Sequence, residues 1–163
     1  MKKIVLVFRE QHNKSYVGGV LTIIRAYLRH RSMFEKNGIY LDTFFYEPSD
    51  RWDYVNSKLR NVAYIFQQRY ALSKLLKTDN NVILNIHTSR EFLFLKDVAL
   101  ATFAKKKYGV ASVLTIHVGD INTVFNRISF VKRKLIRLLN CYVDKTVFLS
   151  NEICNQFIYE GLD

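Results

Sequence analysis

The sequence predicts an α/β fold in which a parallel sheet of about five strands, in the order 2-1-3-4-5, carries helices on both faces. Three observations lead there. Short runs rich in β-branched and aromatic residues alternate strictly with longer stretches of helical periodicity. Such alternation implies right-handed crossovers and therefore parallel strands between layers of helix. Two of the runs, 3–8 and 81–86, are nearly continuous apolar blocks, as strands buried on both faces are. Finally, 163 residues, 49% of them hydrophobic with one Pro and six Gly, have the size and composition of one packed domain. A chain of that length buries roughly 70% of its unfolded surface and has no room for a long linker or a low-complexity segment.

The elements follow in order. KIVLVF (3–8) is the first strand and 18–36 the first helix; LDTFFY (41–46) is the second strand and 56–77 the next helix. NVILNI (81–86), SVLTI (112–116) and KTVFL (145–149) supply the remaining strands, separated by helices at 91–107 and 127–142. A last helix spans 151–160, with Ser150 as its N-cap and Glu152 in its first turn. The apolar core of MKKIVLVFRE runs from Ile4 to Phe8 before Arg9 and Glu10 interrupt it, too short for a signal peptide. No stretch reaches the ~20 apolar residues of a membrane span. Cys141 and Cys154 are too few and too widely placed for a zinc site, and are expected to be buried, reduced thiols in a cytosolic protein. With 25 Lys and Arg against 14 Asp and Glu, the net charge of +11 favours phosphate-rich partners.

In a sheet of this kind ligands bind beyond the carboxyl ends of the strands, where strand order reverses, here between strands one and three. The segments that meet there are REQHNKSYVGG after strand one and HTSRE after strand three, with HVGDIN one strand further on. Gly18 and Gly19 open the first helix, where a missing Cβ lets a ligand approach the backbone and the helix N-terminus favours an anion. The same pair would also serve a tight turn and close packing of helix on sheet. It is not a dinucleotide fingerprint, because GxGxxG is absent, which argues against a nicotinamide dehydrogenase.

Read in order, SYVGGV, FEKNGIYLDTFFY, VILNIHTS, SVLTIHVGD and DKTVFLSNEI resemble the N-terminal half of a GT-B glycosyltransferase of family 4, the large retaining group. In that family the first loop ends in GGV before helix one, which closes in an L-x-x-x-G-H-x-V type turn. A later strand ends in a His-containing segment, the next in T-x-H-G or a close relative, and a further one in V-x-x-x-S. The chain departs from the pattern at Tyr16-Val17, where the family has Pro before the glycines, and at Gly38-Ile39-Tyr40-Leu41 in the turn. The resemblance covers nearly the whole chain and implies that residues 1–163 are the acceptor-side, Rossmann-like domain. It also implies a second domain, absent from these residues, that holds the nucleotide-sugar donor, and a metal-independent transfer to a glycan or lipid-linked acceptor. Cell-envelope or capsular polysaccharide synthesis is the setting it implies, in the cytoplasm or peripherally on the inner membrane face.

On this reading His117 projects from a strand end into the cleft, where its imidazole donates to a sugar hydroxyl or phosphate oxygen, and is the candidate catalytic residue. Gly18, Gly19, His87 and Asp120 are the candidate substrate-binding residues, although Asp120 is equally suited to capping a turn and His87 to a structural role. Arg90 and Glu91 begin a solvated helix; His12 and Lys14 lie in the first loop. No metal-ligand set is present among the four histidines. In RISFVKRKLIRLLNCY, Ile128, Val131, Leu135, Leu138 and Tyr142 form an apolar stripe. Arg127, Lys132, Arg133, Lys134 and Arg137 are candidates for contact with an anionic membrane. The alternative is a basic α/β module for nucleic acid or a protein partner, supported by charge and a 14% aromatic content but lacking any nucleic-acid recognition motif.

Overall fold

The computed structural model describes residues 2–8, 19–45, 57–88, 91–125 and 131–163. Its five strands are β1 (Lys2–Phe8), β2 (Ile39–Phe45), β3 (Val82–Thr88), β4 (Ala111–Ile116) and β5 (Lys145–Phe148). All neighbours pair in parallel, in the order β2-β1-β3-β4-β5, and the fold is Rossmann-like. The helices are α1 (Gly19–Arg29), α2 (Arg31–Lys36), α3 (Ser57–Thr78), α4 (Glu91–Tyr108), α5 (Asn122–Phe125), α6 (Lys132–Tyr142) and α7 (Asn151–Tyr159).

Side-chain alternation along each strand assigns the two faces. From β1, Leu6 and Phe8 pack with Ile24 of α1 on one face. Val5 and Val7 join Leu84, Ile86, Leu114 and Ile116 on the other, in the main core that α3, α4 and α6 cover. Those six aliphatic side chains are all 0% exposed, so this face is sealed. Phe94 of α4 meets Phe125 and Phe157 edge-on and extends the same core toward α7. Gly38 (φ +73°) and Gly109 (φ +68°) take the left-handed conformation that ends α2 and α4 and turns the chain into β2 and β4. Ser150 caps α7 by accepting from the Ile153 N–H.

The structure departs from the sequence expectations in four places. The helix expected over 18–36 is divided at His30, and α2 turns to pack on β2. Strand β2 begins at Ile39 because Gly38 delivers the chain directly opposite Lys2, whose N–H donates to the Gly38 carbonyl. The short helix α5 was not expected. The buried side of α6 is Leu135, Ile136 and Leu139, with Val131 and Leu138 partly buried and Tyr142 at its margin, so the stripe is rotated toward Ile136. That rotation leaves Cys141 exposed and Cys154 is only half-buried, so the two free thiols are not buried as expected.

Candidate functional site

After β1 the chain crosses to β2 on one side, and after β3 it crosses to β4 on the other, so strand order reverses between β1 and β3. In sheets of this kind such a reversal marks the usual ligand position, at the carboxyl ends of the strands. His87 stands there, opposite Thr115 of β4, and the His117 N–H donates to the Thr88 carbonyl at 2.8 Å, carrying the ladder one step past Ile116. His87 and His117 therefore project from the same sheet face as diagonal neighbours. Beneath them Thr115 donates from Oγ1 to Oδ1 of Asn85 at 3.2 Å. A polar column thus occupies the side of β3 and β4 opposite the sealed core.

The two imidazoles are bonded to one another: Nδ1 of His87 lies 2.8 Å from Nε2 of His117. Their centroids are 5.1 Å apart and their planes differ by 27°. An imidazole nitrogen lies about 1.1 Å from its ring centroid, so a separation this large across so short a bond requires the rings to meet end to end. The contact is a near-coplanar N–H···N hydrogen bond, not a face-to-face stack. Tyr27 of α1 approaches His87 edgewise, with centroids 6.2 Å apart.

Burial sets the electrostatics. His87 is 4% exposed, and its removal from water, with the neighbouring His117 as a second cause, lowers its pKa from 6.5 to about 4. Burial lowers the His117 pKa as well. Near neutral pH both rings are therefore uncharged. Two neutral imidazoles carry two ring protons, one of which lies in the shared bond. Among the described residues the outer atoms of the pair, His87 Nε2 and His117 Nδ1, are buried with no hydrogen-bond partner. Buried polar atoms are nearly always satisfied, so such a cluster at strand ends has the character of a site that a ligand completes.

The other candidates are placed as follows. Gly19 opens α1 and is exposed; a Cβ there would meet nothing within 4 Å, so close packing does not require glycine at this position. Asp120 accepts at Oδ1 from the backbone N–H and the side-chain amide of Asn122, at 3.0 and 3.1 Å, and thereby caps the turn into α5. Glu91 begins α4. Gly18, His12, Lys14, Arg90, Arg127 and Ile128 lie outside the described residues. On α6, Arg133, Lys134 and Arg137 are exposed, whereas Lys132 is paired with Glu160 at 2.6 Å. Neither α3 nor α6 contains an acidic residue, and Lys74 and Lys77 of α3 and Lys106 and Lys107 of α4 are exposed on the same layer. Among the described residues no three His, Cys, Asp or Glu are grouped to hold a metal ion, and no helix is long and apolar enough to cross a membrane.

No protein-family model matches this sequence, and no curated protein does. Both histidines are evident in the sequence as strand-end residues, but their union and the Tyr27 edge are not. The available signal was the register: once Ile83 is set opposite Ala111, His87 falls opposite Thr115 and His117 two residues beyond it.

Proposed function

We propose that this chain is the acceptor-side domain of a GT-B glycosyltransferase, with the crevice above β3 and β4 receiving the reacting pair and His117 touching it. The reading is supported by one observation above the rest. A buried, uncharged histidine pair with unfilled hydrogen-bonding atoms stands at the strand-order reversal, the position where this fold binds ligands. His117 holds an oxygen of the donor or acceptor in place, a role worth a few kcal/mol at the transition state when water is excluded. The exposed N-terminus of α1 at Gly19 offers backbone N–H groups to an anionic group such as a diphosphate. The nucleotide sugar is held mainly by a second domain, and the acceptor is a glycan or a lipid-linked glycan.

Its test is transfer itself. The full-length enzyme, incubated with labelled nucleotide sugars and glycan or lipid-linked acceptors, is expected to label an acceptor and release the nucleotide. Failure with every donor, together with salt-sensitive binding of random oligonucleotides, would favour the basic nucleic-acid module instead. The acid-free layer of α3 and α6 supports contact with an anionic bilayer during that transfer, each cation contributing about 1 kcal/mol near such a surface. Arg133→Glu combined with Lys134→Glu and Arg137→Glu is expected to weaken binding to phosphatidylserine vesicles and to leave binding to neutral vesicles unchanged. Equal binding of the variant and the wild type to the anionic vesicles would remove the membrane from this proposal.

A further inference from the structure

His87 and His117 leave open a choice with chemical consequences: which ring donates in the shared bond. If His117 donates from Nε2, its Nδ1 is a bare lone pair and can act as a base, and His87 must then carry its own proton on the deep Nε2. If His87 donates from Nδ1, His117 must carry its proton on Nδ1 and present a donor.

The geometry points to the second arrangement: we infer that His87 donates from Nδ1 to Nε2 of His117 and so holds His117 as a hydrogen-bond donor through Nδ1–H, not as a general base. Three observations carry this. The 2.8 Å end-to-end contact allows one proton between the rings, so fixing one tautomer fixes the other. Of the two outer atoms one must bear the second proton, and an orphaned buried N–H is rarer in proteins than an under-satisfied acceptor. Both outer atoms are withdrawn from water, but their rings differ: His87 is 4% exposed and bordered by Tyr27, whereas His117 is half-buried at the strand end. The proton therefore belongs at the His117 end, where a ligand oxygen can accept it. The lowered pKa of each ring keeps the pair neutral and the arrangement intact at neutral pH.

His87 is on this account a positioning residue that acts through His117. The group that completes the site is an oxygen acceptor: a sugar hydroxyl through its lone pairs, or a phosphate oxygen. The proton of the attacking hydroxyl is then taken by a group other than His117. This conclusion rests on the proposed transferase reading for its role in turnover, but not for the tautomers.

The decisive experiment is nitrogen NMR of the 15N-histidine-labelled chain near neutral pH, with no ligand added. The expected spectrum has Nδ1 protonated and Nε2 unprotonated on both rings, with a coupling across the N–H···N bond. Nε2 protonated on both rings would overturn the inference, whatever the enzyme does. The second measurement uses two variants of similar size in the full-length enzyme. His87→Asn retains an N–H donor at the Nδ1 position and is expected to keep the His117 tautomer and turnover within about 10-fold of wild type. His87→Asp, an acceptor when ionised, is expected to move the His117 proton to Nε2 and to lower kcat/KM by about 100-fold, with KM changing less than kcat. Equal turnover by the two variants, with the His117 proton on different nitrogens, would show that the tautomer does not matter. Absence of transfer in the wild type would remove the transferase reading and leave the tautomers to the spectrum.

Discussion

The two sides of β3 and β4 are built from the same short segments, yet one is lined by aliphatic side chains and the other by polar ones. Toward α3, α4 and α6 the strands present Leu84, Ile86, Leu114 and Ile116, each fully buried. Toward the other side they present Asn85, His87, Thr115 and His117, joined in pairs and ending in atoms with no partner. Burial alone does not mark a site, since both sides are largely withdrawn from water. The helical layer makes the same point: Lys96 and Asp97 are each 1% exposed and lie 3.3 Å apart as opposite charges. Gln68 of α3 and Oγ1 of Thr88 also lack hydrogen-bond partners among the described residues, so what distinguishes the histidine side is that its unfilled atoms belong to an imidazole pair at the strand-order reversal, where this fold binds ligands.

The contrast makes predictions of decreasing size. On the sealed side, Leu114→Ala removes a fully buried side chain and is expected to cost about 2–5 kcal/mol of stability, read from urea unfolding. Turnover per folded molecule should be unchanged, and a selective loss of turnover would show that the two sides are not separable.

Acid should attack the histidine side. The folded state binds the His87 proton near pH 4 and the unfolded chain near 6.5, so the unfolded state is the more readily protonated. Stability is then complete above about pH 6.5 and falls as the pH drops toward 4, by about 3 kcal/mol for that 2.5-unit difference, with His117 acting in the same direction. His87→Asn is expected to flatten this part of the pH profile. An unchanged profile would mean that His87 is not kept neutral by the fold.

The smallest effect is expected below the histidines. Thr115→Val removes the donor to Asn85 and should cost about 1 kcal/mol, since the Asn85 amide is only half-buried and water can replace the lost bond. A loss several times larger would make the Asn85–Thr115 pair a structural foundation of the site.

Much of this architecture is legible in the sequence because it is local. Apolar runs such as KIVLVF and SVLTI identify strands, and their alternation with helices yields the parallel order. The break at His30 was not legible, since neither Gly nor Pro marks it and the chain continues through RAYLRHRS into MFEK; packing of α2 on β2 decides it. The rotated stripe of α6 has a similar origin, as KRKLIRLLNCY offers apolar residues at both 135–136 and 138–139 and tertiary contact chooses among them. His87 and His117 are separately visible at strand ends. Their hydrogen bond spans thirty residues and depends on strand register, which no local pattern encodes. Asp120 was expected either at a ligand or at a turn, and the turn contact with Asn122 is the one seen, next to the four-residue helix α5.

The central claim, that the histidine side of the sheet serves chemistry and the sealed side serves stability, is tested most directly by His117→Ala in the proposed transferase, with kcat/KM and melting temperature measured on the same preparation. Loss of a hydrogen bond to the reacting pair predicts a fall in kcat/KM of at least ~100-fold, about 2.7 kcal/mol, at a melting temperature near wild type. Near-normal turnover with a markedly lower melting temperature would contradict the account and make the histidine pair part of the scaffold.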